Sequence, residues 1–125
     1  IVHYPLFAMV GEESFKAYEA QHQQLISIVV IPLMLFELLV AIYLVLGGAT
    51  PTGLRTASWI GLALVALIWV STFLLSVPAH NQLMTGFSAT AHTSLVQTNW
   101  IRTLAWSIRG GLALWMIHRV HTLSV

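Results

Sequence analysis

Three long apolar runs dominate the pattern of this chain. Leu25 to Leu46 is broken only by Ser27, Pro32 and Glu37. Trp59 to Val77 holds no charge, and Trp100 to Val120 contains Arg102 and Arg109. Each run is about 20 residues, or roughly 30 Å of helix, which matches the hydrocarbon thickness of a bilayer. A spanning segment must satisfy its own backbone, so helices are expected, and the alternation that a membrane barrel needs is missing. Gly47 to Gly53 forms a turn cluster, and Pro78 closes the second run. Residues 81–99 are polar but uncharged and read as an interfacial connector. Glu12 to Gln24 is polar and helix-friendly, with Ser14 as a plausible N-cap, so it extends the first helix into water. The segment 1–10, IVHYPLFAMV, is apolar but too short to span. It is either an interfacial anchor or, since the chain opens on Ile1 and not Met, the tail of a missing helix. The expected fold is therefore all-α: one polytopic transmembrane helical bundle over 1–125, with helices at 12–46, 57–77 and 100–120. Three helices span in this chain and four in the full protein.

Composition narrows the function class. Hydrophobic residues make up 58% and charged residues 7% of the 125 positions, against about 25% charged in soluble domains. No charge occurs between Arg55 and Arg102. So few charges cannot cover a water-soluble fold. A nucleic-acid binder, a disordered tail and a soluble enzyme are excluded, and the lipid bilayer is the first partner. Cysteine and aspartate are both absent, which removes thiolate metal sites and any Ser/His/Asp set. Arg55 and Arg119 flank the runs on one side, against Lys16 on the other. The positive-inside rule then puts the C-terminus in the cytoplasm.

Polar residues inside the runs are the candidates for chemistry. Glu37 lies ~18 Å and Arg109 ~14 Å into the membrane from the same face. A lone charge at such depth costs about 2.5–3.5 kcal/mol on insertion scales, so the two invite pairing. They are either an ion pair that fixes helix register or charged groups facing a ligand. Asn99, Arg102, Trp106 and Arg109 fall on one helical face, which cannot face lipid. Trp69, Thr72 and Ser76 form a stripe that His80 would continue. Hydroxyl back-bonding is the plain reading for Ser76 alone, less so for the whole stripe. His3, His22 and His80 share a side with Glu37, in the candidate pocket half. They are the candidates for a metal, but no metal site is expected, because their sequence positions support nothing beyond sidedness.

The segments VPAHNQL (Val77 to Leu83) and NWIRTLAWSIRG (Asn99 to Gly110) resemble small bacterial four-helix membrane proteins of the anthrone-oxygenase-like kind, most of unknown function. Pro78, Asn81 and Leu83 match one motif, and Asn99, Arg102 and Arg109 the other. His22 and Glu37 fall where related sequences carry polar residues. The resemblance covers the chain from residue 11 onward and implies a bacterial inner-membrane protein. The expected function is an intramembrane polar pocket for an apolar, quinone- or phenol-like ligand, with oxygenase- or isomerase-like chemistry. Arg102 and Arg109 would hold an anionic oxygen, Glu37 and His80 would exchange protons, and Trp106 would form a wall. His22, Thr72, Asn81 and Asn99 complete the candidate binding set, and the cofactor is unspecified. The alternative is a non-catalytic accessory subunit of a larger, for example energy-transducing, membrane complex, whose polar residues only lock helices together.

Overall fold

Helix-forming apolar sequence accounts for nearly every element. The structure is a computed structural model that describes residues 2–47 and 50–123. A short 3₁₀ helix, Tyr4–Met9, precedes α1 (Glu12–Leu46). A second 3₁₀ turn, Thr52–Leu54, leads into α2 (Arg55–Ser71), a π turn (Thr72–Ser76) and α3 (Val77–Met84). The chain ends in α4, Ala89–Leu123. Among the described residues there is no strand.

Several local expectations are corrected. Ser14 is not the N-cap of α1. Gly11 is, with extended backbone and no side-chain bond, and Ser14 gives its N–H to the Gly11 carbonyl at 3.1 Å. Pro78 does not close the second run. It sits in the first turn of α3, where a missing N–H is tolerated. The π turn just before it lets the Val77 N–H reach back five residues to the Thr72 carbonyl, so the rod continues through the proline. The polar stretch 81–99, read as an interfacial connector, is mostly helix. Its first part ends α3 and residues from Ala89 onward already belong to α4. The break is confined to 85–88, where Gly86 takes φ +146°, a conformation any side chain would strain. Ser88 then caps α4, its hydroxyl accepting the Ala91 N–H at 3.3 Å.

The three rods are not equivalent. The α2–π–α3 rod packs against both α1 and α4, whereas α1 and α4 scarcely approach each other through their backbones. A cleft therefore runs between α1 and α4, floored by the central rod. At one end it is closed by Phe7 of the N-terminal 3₁₀ helix, which packs with Phe15, Ala79, Leu83, Ala91 and Leu95. Halfway along, Met34, Ile68 and Ala105 meet. Outward-facing residues such as Ile28, Leu33, Phe36, Leu67, Leu74, Ile108 and Ile117 are exposed.

Two of the rods, Glu12–Leu46 and Thr52–Met84, are long and apolar enough to cross a membrane. In the most apolar stretch of the first, only 11% of residues are buried. The third rod, α4, does not reach the same apolarity, because Arg102 and Arg109 interrupt it.

One polar bridge ties α1 to α4 across the cleft. Arg109 Nε donates to Glu37 Oε1 at 2.5 Å, and Trp106 Nε1 donates to Glu37 Oε2 at 3.0 Å. Arg109 Nη1 also donates to the Gly61 carbonyl on α2 at 2.9 Å. A Cβ at Gly61 would stand 3.4 Å from that nitrogen, in ordinary contact with it. Removing one partner leaves the other charge uncompensated in a half-buried site, whereas removing both does not. Glu37→Leu alone is expected to lower unfolding stability in detergent by about 3 kcal/mol. Glu37→Gln combined with Arg109→Met is expected to recover most of that loss. Equal destabilisation by the single and the double variant would show that the bridge does not fix the register. Phe7→Ala is expected to cost about 3 kcal/mol, and limited proteolysis should then cut near residue 10.

Candidate functional site

The bridge divides the cleft into two cavities. One, of about 390 Å³, lies toward the Leu46 end and is lined by Ala41, Leu44, Ala57, Gly61, Leu112 and Met116, with Arg109 at its edge. The other, of about 330 Å³, lies toward the N-terminal 3₁₀ helix. Its walls include Val30, Met34, Trp69, Phe73 and Trp106, and its polar end is made by Tyr4, Gln23, Ser76, His80, Asn99 and Arg102. This second cavity joins an apolar slot to a convergent polar cluster, the usual composition of a small-molecule site.

Arg102 is the centre of the polar end. It is 6% exposed, yet no carboxylate among the described residues lies within salt-bridge reach. Its neighbours are neutral. Nη1 donates to the Ser76 hydroxyl, and Nη2 donates to Asn99 Oδ1 at 2.7 Å and to Tyr4 Oη at 3.5 Å. The guanidinium carbon also stands 6.0 Å from the Tyr4 ring centre. Helical geometry explains the position, since Asn99 and Arg102 are one turn apart on the face of α4 that looks into the cleft. A buried guanidinium supplied only with neutral acceptors has its charge free for an anionic or strongly polarised oxygen.

A second set of polar residues adjoins it. Glu19 is 0% exposed, and its Oε1 accepts from His80 Nδ1 at 2.5 Å and from Gln23 Nε2 at 3.4 Å. Across the imidazole, His80 Nε2 lies 3.4 Å from Tyr4 Oη. His22 lies beside this group, with its ring centre 5.6 Å from that of His80 and its Nδ1 3.0 Å from His3 Nε2. His92 Nε2 donates to the Tyr4 carbonyl at 2.8 Å, which holds the 3₁₀ helix against α4. Glu19 Oε2, His22 Nε2 and Trp69 Nε1 are buried without a hydrogen-bond partner.

The structure sorts the expected site residues into groups. His80, Arg102, Asn99, Thr72 and Trp106 line the second cavity together. Glu37 and Arg109 do not meet its polar end, because they are occupied with each other in the bridge. Thr72 back-bonds to the Ile68 carbonyl at 2.8 Å, whereas Ser76, expected to do so, accepts from Arg102 instead. Asn81 is exposed and does not line the cavity, since one residue past His80 the helix has turned about 100° away. His22 belongs with His3 and the aromatic plug, not with the cavity wall. Among the described residues, no group of three or more His, Asp or Glu side chains is arranged to hold a metal ion.

Two important residues were missed in the sequence: Glu19 and Tyr4. Glu19 and His22 stand three apart on α1, a spacing that puts both on one face. That signal was available, but it lies ahead of Leu25, outside the apolar runs in which polar residues stand out. Tyr4 left no such signal, because its partners are 76 and 98 residues away. No family model, curated protein or solved structure matches this chain.

Proposed function

We propose that this chain is an integral membrane protein that binds a flat apolar ring compound bearing an oxygen function, of the quinone or phenol kind. The binding site is the cavity between α1, the central rod and α4. All three rods cross the bilayer in this reading. Arg102 and Arg109 of α4 face the cleft and not the acyl chains, and Arg55 and Arg119 mark the cytoplasmic side. The observation that carries the proposal is the buried Arg102 guanidinium, with neutral partners only, at the end of an apolar slot. A ring would lie between Trp69, Trp106 and Met34, with its oxygen at Arg102. The unpartnered Trp69 N–H supplies a second donor on the cavity wall. An arginine aimed at a developing oxyanion in a dry site is worth several kcal/mol, so oxygenase- or isomerase-like chemistry fits this site.

One observation favours a second reading. The closed Glu37–Arg109 bridge and the wide exposed apolar faces suit an accessory subunit whose polar residues only fix packing. Binding separates the two. The purified protein in detergent is titrated with 2-methyl-1,4-naphthoquinone, and quenching of tryptophan fluorescence is followed. Arg102→Leu is expected to weaken binding about tenfold to a hundredfold, the worth of one charge-assisted hydrogen bond. Asn81→Ala, at an exposed position off the cavity wall, is expected to bind as the parent does. Identical quenching by the parent and Arg102→Leu, no greater than that of N-acetyltryptophanamide in the same micelles, would leave the accessory-subunit reading.

A further inference from the structure

The residues behind Arg102 form a proton path. We infer that Glu19, His80 and Tyr4 act as a carboxylate–imidazole–hydroxyl relay, which takes the proton of a weakly acidic hydroxyl bound at Arg102 and so holds that ligand as its anion. The inference rests on the cavity reading above and names the ligand class: a ring compound with an ionisable O–H.

The geometry sets a direction. With Glu19 as a carboxylate, the 2.5 Å contact fixes the proton of neutral His80 on Nδ1. Nε2 is then left as an acceptor facing Tyr4 Oη at 3.4 Å. Tyr4 in turn stands at the cavity wall beside Arg102 Nη2, at 3.5 Å. The arrangement follows the logic of a base oriented by a buried acid, with a phenol as the terminal group. When a ligand hydroxyl reaches Tyr4, its O–H bond breaks and the proton passes to Tyr4 Oη. The Tyr4 hydroxyl proton passes to His80 Nε2. The products are a ligand oxyanion, a neutral tyrosine and an imidazolium, with no change in electron count. Arg102 stabilises the oxyanion and Glu19 stabilises the imidazolium, so each new charge forms beside its opposite.

The other charged and titratable groups around His80 are few. His22 and Glu19 face it from α1, Tyr4 from the 3₁₀ helix, and Arg102 of α4 reaches it only through Tyr4. His3 touches His22 and is itself exposed, while His92 holds the Tyr4 backbone. Neither His22 nor His3 lines the cavity.

The test uses 4-nitrophenol, whose anion absorbs visible light that its neutral form does not. The probe is bound to the full chain in detergent micelles and titrated with pH. Against empty micelles, the parent protein is expected to keep the bound anion to lower pH by about one unit or more. In Tyr4→Phe and His80→Gln the probe is expected to bind, but its ionisation should return toward the micelle value. Glu19→Gln should fall between, because the imidazolium loses its counterion. The methyl ether 4-nitroanisole has no proton to give, and it should bind the parent and Tyr4→Phe alike. If 4-nitrophenol binds and ionises in Tyr4→Phe and His80→Gln as in the parent, the relay is wrong while the cavity reading stands. A matching loss of 4-nitroanisole binding in Tyr4→Phe would also overturn it, by showing that the hydroxyl acts through packing. If 4-nitrophenol does not bind the parent but 2-methyl-1,4-naphthoquinone does, the relay again fails alone. If neither binds, both readings fail.

Discussion

The bridge from Glu37 to Arg109 is the constraint on which the rest of the structure depends. Most side chains on the outer faces of the rods are apolar, so the hydrophobic effect alone gives little preference for one register of α1 over another in an apolar solvent. A charge pair does. Misplacing α1 by one turn would separate the carboxylate from the guanidinium and strand both, at a cost of several kcal/mol. Gly61 and Trp106 supply the remaining hydrogen bonds, so the pair is satisfied by three elements at once. The register it selects also places Glu19 opposite His80. Glu19 and Glu37 are eighteen residues apart, five whole turns, and so lie on one face of α1.

Two arginines on one helix face, seven residues apart, thus have opposite roles. Arg109 has an acid and is neutralised, and Arg102 has none. The difference lies in what α1 presents at each level: Glu37 beside Arg109, and Val30, Met34 and Ser27 along the cavity wall near Arg102. The nearest buried acid to the cavity is Glu19, and it is already engaged with His80. An unpaired buried guanidinium is expensive unless something offsets it. Its hydrogen bonds to Ser76, Asn99 and Tyr4 offset part of that cost, and a bound anionic oxygen would offset more.

Much of this was legible in the sequence, and the limits have physical causes. The span of α1 and the inward face of Asn99, Arg102, Trp106 and Arg109 follow from apolar periodicity and the cost of charge in lipid, both local properties. Continuity through Pro78 was not legible, because proline reads as a breaker unless the preceding turn is already wide. Where α4 begins within 81–99 was not legible, because the polarity of that stretch suits an exposed loop and an interfacial helix equally well. Asn81 illustrates a finer limit. The side chain next to a site residue on a helix points elsewhere, so proximity in sequence argues against a shared pocket. Tyr4 depends on the docking of the 3₁₀ helix, a long-range event driven by Phe7 that no spacing rule encodes, whereas the pairing of Glu19 depends on the packing of α1 against α3.

The N-terminal segment therefore contributes more than an anchor. Phe7 is fully buried among residues of α1, α3 and α4, so it holds the ends of three rods together. The same docking brings Tyr4 between His80 and Arg102, and His92 fixes its backbone there. Packing at this end and chemistry in the cavity are thus coupled through one short element. Without it, the Glu19–His80 pair would still form from α1 and α3, but a gap would separate the imidazole from the guanidinium. A base and an anion hole would then exist side by side with nothing to pass a proton between them. The aromatic plug and the polar relay are for this reason two consequences of one folding event.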